Sequence, residues 1–435
     1  MFNKWRFRAS ALIVSLSLMA ISTTVDAAMT PLSADPVFLT PDVLKAQSLD
    51  MADMNGDGML DIIVGCYNEP NMVYVNVLGD FTEYTTWQSS ESDYTLSVAL
   101  ANISSSLPDL FVGNSIEQNN RLYSNSQGGL SRTADWNSSD SRWTNVVLPF
   151  DFDGDGYIDI FCGGTGENVI YANEGGTLTS EPYWLSPNRI ETRAAAIAEL
   201  DGDGEYYLAV GNIGQNRIYR ISDGLPEDEA VWTSPDWLST YSLDFGDYDA
   251  DGDLDLLVGN LDAQDQVFAN VDGDFGEAAV WTSNESSATR SIRWSDFAED
   301  GYPDIAVATF RSQVNAVYSN SNGSIEKSPS WTSEDAANST SMLCGDIDGN
   351  GSADLAVANQ DGYVVAYLSL LHSAPFVTQT TPEDGDTGVS RVGQISIRLY
   401  DYDGDIDIDS VDLLVNGQSV SFSVTTSTDG STIQY

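Results

Sequence analysis

Short apolar runs alternate with clusters of Gly, Asn and Asp along the chain, and this pattern recurs every 48 to 50 residues. The fifth copy is the clearest, and it predicts strands over 242–246, 255–259, 266–270 and 278–282. Residues 266–270 alternate apolar and polar side chains, which is the period of a half-buried strand. Turn-forming residues separate the runs. Because no stretch inside the repeats keeps a helical period, the pattern predicts an all-β fold.

Three features recur in one phase and mark the repeats. An aromatic residue precedes each polar loop: Phe38, Trp87, Trp136, Trp184, Trp232, Trp281 and Trp331. An acid ends each loop, except that Tyr207 replaces it in the fourth copy: Asp61, Asp109, Asp159, Asp255, Asp304 and Asp354. An aromatic strand then ends in a turn, as at Tyr74-Val75-Asn76. Three anchors in one phase indicate seven repeats.

The size of the repeat predicts the architecture. A four-stranded unit of about 48 residues matches a propeller blade. A solenoid is the alternative, but solenoids need polar caps at both ends. Here the last repeat stops after Tyr367 without a tryptophan strand, while an extra strand at 37–40 precedes the first repeat. That strand can complete the last blade, so we expect a closed seven-bladed β-propeller over residues 29–371.

The pattern changes in the last part of the chain, residues 372–435. It becomes rich in turns, and 395–399 and 411–415 alternate as strands. A complete immunoglobulin-like sandwich needs about 100 residues, so this segment is short for one. We expect a partial Ig-like or cadherin-like β-sandwich module.

The first 28 residues have the pattern of a secretory signal peptide. Lys4, Arg6 and Arg8 precede a mostly apolar run over 9–21, which is too short to span a bilayer, and Ala27 fits a cleavage site. A retained membrane anchor is the alternative. We therefore expect export to the medium, the cell surface or the periplasm, with no stable membrane span.

Charge and cysteine content restrict the function further. The formal net charge is −49, and Lys45 and Lys327 are the lysines that remain after the signal segment. Such a surface repels phosphate backbones, which argues against nucleic-acid binding. The three cysteines, Cys66, Cys162 and Cys344, are expected to be small buried side chains, with a Cys66–Cys344 bridge as the alternative.

Four loops carry oxygen ligands at positions 1, 3, 5 and 9 with a glycine between them. They are Asp53, Asn55, Asp57, Asp61; Asp151, Asp153, Asp155, Asp159; Asp247, Asp249, Asp251, Asp255; and Asp346, Asp348, Asn350, Asp354. This spacing suits Ca²⁺, which takes six to eight oxygens. Two like charges 4 Å apart cost about 4 kcal/mol at an effective dielectric near 20, so the acids need a cation. A solvated acidic turn is the alternative.

The other loops depart from this pattern. The fourth offers Glu199, Asp201 and Asp203 but has Tyr207 at position 9. The sixth keeps Asp296, Asp300 and Asp304 but has Ala298 at position 3. The second, 101–109, has lost the ligand set and is expected to be metal-free. The acidic segment 401–407 is interpreted as a charged turn.

The unit Phe245-Gly246-Asp247 with Asp255 and Val258-Gly259-Asn260 resembles an FG-GAP, or VCBS-type, repeat. The resemblance covers about residues 37 to 371. That family forms the seven-bladed, calcium-binding propeller at the head of integrin α chains. The resemblance implies a calcium-stabilised module for adhesion or for binding a surface protein or glycan.

Three function classes compete. A non-catalytic recognition module is favoured, and a lectin is the second. The in-phase tryptophans are expected to pack between repeats, whereas Trp143, Trp237 and Trp294 break the phase and are expected to be exposed. A polysaccharide-cleaving enzyme is the third. The single histidine, His372, lies after the last repeat, so no triad or zinc–histidine site can be built, although paired carboxylates stay open as catalysts.

Overall fold

The computed structural model describes residues 7–9, 12–17, 32–77, 80–81, 86–104, 107–126, 128–200, 202, 204–371, 376–381, 396–400, 412–415, 418–419, 423–427 and 430–434. Two compact units are present: Ala27–Leu368, and Met1–Asp26 with Ser369–Tyr435. The described residues contain β-strands and no helix, which confirms the all-β prediction. No helix among them is long and apolar enough to cross a membrane.

The first unit is built from four kinds of strand, which pair antiparallel in the order first, second, third, fourth. The first strands are Leu44–Ala52, Thr95–Ala101, Thr144–Phe150, Thr192–Glu199, Leu238–Gly246, Ser287–Ser295 and Ser339–Gly345. The second strands are Asp61–Cys66, Asp109–Asn114, Asp159–Gly164, Tyr206–Gly214, Asp255–Ala263, Asp304–Thr309 and Asp354–Gly362.

The outer strands are shorter. The third strands are Met72–Tyr74, Arg121–Tyr123, Glu167–Tyr171, Arg217–Ser222, Gln266–Phe268, Ala316–Tyr318 and Val364–Tyr367. The fourth strands are Trp87–Gln88, Trp136–Asn137, Trp184–Arg189, Trp232–Thr233, Trp281–Thr282 and Trp331–Thr332. Small hairpins follow some third strands: Asn76–Val77 with Asp80–Phe81, Asn270–Val271 with Asp274–Phe275, and Asn320–Ser321 with Ser324–Ile325; Leu225–Pro226 pairs back onto its own third strand.

The fifth repeat shows how the pattern becomes structure. The four expected strands are present, but the first two are longer than expected, at Leu238–Gly246 and Asp255–Ala263. Their extra residues pair with neighbouring repeats: Ile213 and Gly214 pair with Ser239 and Leu238. Such pairings join some of the four-stranded groups into larger sheets. Periodicity within one repeat does not reveal them, because the partner lies in another repeat.

The in-phase tryptophans pack between neighbouring repeats, as expected. Trp87 meets Tyr123 of the next repeat edge-on, with ring centroids 5.4 Å apart, and Trp281 meets Tyr318 in the same way at 5.4 Å. The Trp281 indole N–H also donates to the carbonyl of Glu326 at 3.1 Å. Edge-to-face packing stabilises an aromatic pair by about 1 kcal/mol beyond burial. The tryptophans therefore fix the spacing between repeats.

The strand before the first repeat pairs with the last repeat, as the sequence predicted. Val37–Phe38 runs antiparallel to Val364–Tyr367, with Val37 opposite Ala366. The first strands of the first and last repeats also lie side by side. Leu49 N–H donates to Ser341 Oγ at 3.1 Å, and Thr340 Oγ1 donates to the carbonyl of Ala46 at 3.0 Å. The two ends of the repeat array are thus in direct contact.

The second compact unit contains two four-stranded sheets. One contains Phe376–Thr381, Ser396–Tyr400, Gly430–Gln434 and Ser423–Ser427; the other contains Phe7–Ala9, Leu12–Ser17, Asp412–Val415 and Gln418–Ser419. Both strands expected after residue 390 are present. The sequence had assigned residues 1–28 to a leader outside the fold, whereas in the uncut chain Leu12–Ser17 pairs with Asp412–Val415. An apolar segment can satisfy its backbone hydrogen-bonding groups by pairing with the free edge of a strand. Cleavage near Ala27 stays a prediction.

The three cysteines are free thiols, so the alternative of a Cys66–Cys344 bridge is wrong in this structure. Cys66 and Cys162 are buried in second strands, as the packing interpretation expected. Burial raises the pKa of both Cys66 and Cys344 to about 12. Thiols with such pKa values are poor nucleophiles and poor metal ligands at neutral pH.

Candidate metal centres

Every candidate loop lies between the end of a first strand and the start of a second strand. The acid at position 9 is the first residue of the second strand and is buried wherever it occurs: Asp61, Asp109, Asp159, Asp255, Asp304 and Asp354. The acids at positions 1, 3 and 5 are more exposed. Each loop thus has one carboxylate fixed in the core and others at the surface.

The first loop shows the geometry of the strong copies. Asp53 Oδ1 accepts the N–H groups of Gly56 at 2.6 Å and Asp57 at 3.0 Å, and Oδ2 accepts that of Gly58 at 2.8 Å. Asn55 Oδ1 accepts the N–H of Asp57 at 2.9 Å. Gly56 and Gly58 have φ of 82° and 89°, a region that favours glycine. The backbone therefore wraps around the position 1 carboxylate and turns the side chains inward.

Three loops bring carboxylates within reach of one ion. Oxygen atoms lie within 4.8 Å of one another in each of three groups: Asp151, Asp153 and Asp159; Asp247, Asp249 and Asp251; Asp346, Asp348 and Asp354. Asp249 Oδ1 and Asp346 Oδ1 are buried and have no hydrogen-bond partner among the residues that the structure describes. A buried carboxylate oxygen without a partner is costly unless a cation contacts it. The donor set fits Ca²⁺, since it consists of oxygens alone.

The remaining predicted ligands fall into three cases. Asp155 Oδ1 and Asn350 Oδ1 accept N–H groups of their own loops, from Tyr157 and Ser352. Asp296 and Asp300 in the sixth loop accept N–H groups as in the strong copies, although position 3 is Ala298. In the fourth loop Glu199 Oε1 accepts the N–H of Gly204 at 2.6 Å, while Asp201, Asp203 and the segment 401–407 lie outside the described residues.

In the second loop, a hydroxyl group contacts the position 9 carboxylate. Asp109 Oδ2 accepts the N–H groups of Ile103 and Ser104 and also the Ser104 Oγ–H, at 3.1, 2.5 and 2.9 Å. Those bonds satisfy the buried carboxylate within the chain. That the second loop is metal-free stays a prediction.

The acid at position 9 takes part in a contact that the sequence analysis missed. In the fifth repeat, Asp255 Oδ2 accepts the N–H of Tyr248 at 3.0 Å and Oδ1 accepts the N–H of Asn270 at 2.9 Å. Asn270 Nδ2 then donates to the carbonyl of Leu200, in the loop of the preceding repeat, at 2.9 Å. We call this pair of residues the Asp–Asn latch. It ties the third strand of one repeat to the metal loop of the repeat before it.

The latch recurs around the array. Its asparagines are Asn76, Asn125, Asn173, Asn270 and Asn320. Asn76 Nδ2 donates to the carbonyl of Ile347 at 2.8 Å, so the first repeat is latched to the last. The fourth repeat has Tyr207 and Ile221 at the two latch positions. The joint loss of both partners is the sequence signal that could have revealed the contact.

In several repeats, the turn after the third strand covers the loop of the preceding repeat. Gly224 lies over Asp153, and Gly323 lies over Asp249, both with positive φ. A Cβ on Gly323 would lie 2.8 Å from Asp249 Cβ, which is too close. Two glycines thus allow the backbone of one repeat to close over the ligands of another.

Electrostatics separate the loop acids into two groups. Desolvation raises the pKa of Asp53, but the N–H donors of Gly58, Gly56 and Asp57 outweigh it and lower this pKa overall. At position 9, burial raises the pKa of Asp159 to about 6 and that of Asp255 to about 7, and neighbouring loop acids add to the rise. A divalent cation in the loop would instead lower the pKa of the position 9 acids, because it favours the ionised form of a carboxyl group.

The three tryptophans outside the repeat phase differ in exposure. Trp143 is 45% exposed and Trp237 is 78% exposed, as expected. Trp294 does not fit the expectation, because it is half-buried on the first strand Ser287–Ser295. Gly246 leaves room for it: a Cβ there would lie 2.6 Å from the Trp294 ring. Two of the three are therefore available for contacts with a ligand.

Comparison with solved structures supports the propeller architecture. One similar chain is from the crystal structure of BBS1N in complex with ARL6DN, soaked with lead: TM-score 0.54, 12% identity, 78% of this chain and 97% of that chain. Another is the β-propeller domain of Myceliophteria thermophila Cps50 (Swd1): TM-score 0.52, 9% identity, 77% of this chain and 99% of that chain. At such identities the likeness concerns the fold.

Comparison with curated protein sequences gave no match. The family model described as FG-GAP-like repeat matches six overlapping segments: 53–105, 106–162, 151–210, 200–258, 247–307 and 296–357. Each match from the third onward begins at or one residue beside the first residue of a loop described above. Because these segments span more than half of the sequence, the chain belongs to the family of FG-GAP-like repeat proteins.

Proposed function

We propose that this protein is an exported, calcium-binding propeller of seven blades that recognises a ligand without transforming it. One observation carries the calcium assignment: carboxylate triads that include the buried, unpartnered oxygens of Asp249 and Asp346. Repulsion within such a triad opposes the loop conformation unless a cation is bound. We expect the strongest sites in loops 53–61, 151–159, 247–255 and 346–354.

The seven-bladed ring is supported by contacts between the ends of the array. The strand Val37–Phe38 supplies the fourth strand of the last repeat, and Asn76 latches the first repeat to Ile347. Closure removes free sheet edges, which otherwise promote aggregation. For residues 372–435 we propose the first part of an Ig-like or cadherin-like module.

Bound calcium would supply charge neutralisation and a bridge between strands. Asp247, Asp249 and Asp251 would hold it in the fifth loop, while Asp255 is held by the latch to Asn270. Because the turn at Gly323 lies over Asp249, an ion there would also stabilise the contact with the sixth repeat.

The ligand class we propose is a surface protein or glycan outside the cytoplasm. The net charge of −49 disfavours nucleic acid, and the leader-like segment favours export. The propeller of the BBS1N structure is in complex with a protein, ARL6DN, which makes a protein ligand a reasonable choice. The exposed Trp143 and Trp237 favour a glycan as the second candidate, since indole rings stack on sugars.

The calcium proposal is tested by thermal unfolding. A chelator should lower the melting temperature clearly, and millimolar calcium should restore it better than magnesium does. Asp251→Asn should weaken the response to calcium, whereas Asp228→Asn, which removes the same charge from an exposed position outside the loops, should not. A melting temperature that changes with neither chelator nor calcium would rule the proposal out.

The recognition proposal is tested with the calcium-loaded protein on glycan and matrix-protein arrays. We expect retention on a ligand that is lost with chelator. In parallel, incubation with polysaccharides should give no new reducing ends and no unsaturated products. Calcium-dependent release of oligosaccharides would instead identify an enzyme that uses paired carboxylates.

A further inference from the structure

In the compact unit Ala27–Leu368, two arginine side chains lie over the ring of one tyrosine. Arg193 Cζ lies 5.2 Å from the ring centroid of Tyr241, and Arg290 Cζ lies 4.6 Å from it. Arg290 also lies 5.2 Å from the ring of Phe310. We call these four residues the arginine cluster. It is unusual in a chain with 17 Lys and Arg against 66 Asp and Glu.

The cluster lies at the opposite end of the first strands from the metal loops. Arg193 is the second residue of Thr192–Glu199, and Glu199 at the far end is position 1 of the fourth loop. Six residues of extended strand separate the two, which is about 20 Å. The loop acids therefore do not neutralise the arginines, because that distance exceeds the Debye length at physiological salt.

The positive charge of the cluster is only partly compensated within the chain. Arg193 forms an ion pair with Glu191, but its Nε is buried and has no hydrogen-bond partner. Arg290 is half-buried and forms no ion pair with any carboxylate in the described part of the chain. Burial lowers the pKa of Arg290 and the like charge of Arg193 lowers it further, while the hydrogen bond to Tyr241 acts in the opposite direction. Buried charges are normally paired with an opposite charge, and no carboxylate in the described part of the chain pairs with Arg290.

Other repeats show that the fold does not require these charges. Arg193 and Arg290 each follow a threonine in a first strand. The residue that follows the matching threonine or serine is Leu96 in the second repeat, Asn145 in the third and Thr340 in the seventh. All three are uncharged at the position that Arg193 and Arg290 occupy. The arginines are therefore specific to one sector of the molecule, which indicates a role beyond packing.

We propose that the arginine cluster is a subsite for one carboxylate of a protein ligand, carried by an Asp or Glu side chain. This rests on the proposed function as a recognition module. Arg290 donates to Tyr241, but a guanidinium carries five N–H donors, so those that remain can bind a carboxylate. The acidic surface repels polyanionic glycans but attracts a basic protein, which can place a single acidic side chain at this point.

The first test uses trifluoroacetate as a minimal carboxylate, followed by ¹⁹F NMR with the calcium-loaded protein. Trifluoroethanol serves as the neutral probe. Arg290→Gln should weaken trifluoroacetate binding by at least about tenfold, the loss expected when a charge-assisted hydrogen bond is removed. Arg189→Gln removes the same charge from a 73% exposed side chain and should leave binding unchanged. Equal losses in both variants, or no binding to the unmodified protein, would overturn the proposal.

The second test identifies the source of the carboxylate by competition. The peptide acetyl-Gly-Asp-Gly-amide should displace trifluoroacetate, while the matching Asn peptide should not. Displacement by glucuronate but not by the Asp peptide would overturn the assignment to a protein ligand. Calcium-dependent melting and array retention are measured on the same variants, so failure of the subsite is distinguished from failure of the recognition module.

Discussion

At the residue scale, the position 9 aspartate makes a contact that the sequence did not predict. The spacing of oxygen ligands predicts Asp255 as a ligand, but the group of carboxylates within reach of one ion in this loop is Asp247, Asp249 and Asp251, and Asp255 is not among them. The latch to Asn270 was not predicted, because an asparagine at the end of a strand is ordinary turn chemistry. A contact with the preceding repeat cannot be read from spacing inside one repeat.

Removing a latch side chain should destabilise the fold. Asn270→Ala deletes the side-chain donor to the carbonyl of Leu200 at 2.9 Å, a buried contact, and to the carbonyl of Leu254 at 3.2 Å, a partly buried one. We expect a loss of about 2 kcal/mol in the free energy of unfolding, measured by denaturant titration in excess calcium. Asn284→Ala, at an exposed position, is the control and should cost less than about 0.5 kcal/mol. Equal costs would show that the latch contributes nothing beyond a surface contact.

At the element scale, strand order was predictable and strand contacts were less so. The extra strand at the start and the missing one at the end implied that Val37–Phe38 joins the last repeat, and it does. The small hairpins, such as Asn270–Val271 with Asp274–Phe275, were not predicted, since two-residue strands carry no periodicity.

Deleting the N-terminal strand should expose a sheet edge. A chain that starts at residue 43 loses Val37–Phe38, the buried Leu39 and the bond from Leu39 N–H to the carbonyl of Val364. We expect a lower melting temperature and aggregation, followed by light scattering. A chain that starts at residue 30 keeps the strand and is the control. If both chains stay monomeric with equal melting temperatures, the strand is dispensable.

At the scale of the whole molecule, buried acids inside and outside the loops determine how the stability of the fold depends on pH. Burial raises the pKa of Asp50 to about 6 and that of Asp265 to about 7, and Asp255 also titrates near 7. In the unfolded chain the pKa of such a carboxyl group is about 4. Between these values the metal-free folded state holds protons that the unfolded state has released. Stability without calcium therefore falls as pH rises through this window.

The melting temperature in excess chelator should thus be highest near about pH 4 and fall by several degrees towards pH 8. Excess calcium should weaken or reverse the trend, because calcium binds the deprotonated carboxylates. Asp265→Asn, which lies outside the loops, should reduce the slope in chelator without changing the response to calcium. A melting temperature that rises with pH in chelator would contradict the argument.

The turn that covers each loop has a consequence for how such a chain can be divided. The proposed ligands Asp247 and Asp249 belong to the fifth repeat, but Gly323 and Asn320, which contact that loop, belong to the sixth. The segment that is duplicated along the sequence is therefore not the segment that completes a metal site. A single excised repeat would carry all of its carboxylates and still lack half of its cage. Inserting or removing one repeat would bring together loops and turns that are not neighbours now. The number of repeats therefore depends on how well adjacent repeats fit each other, and not on any single repeat.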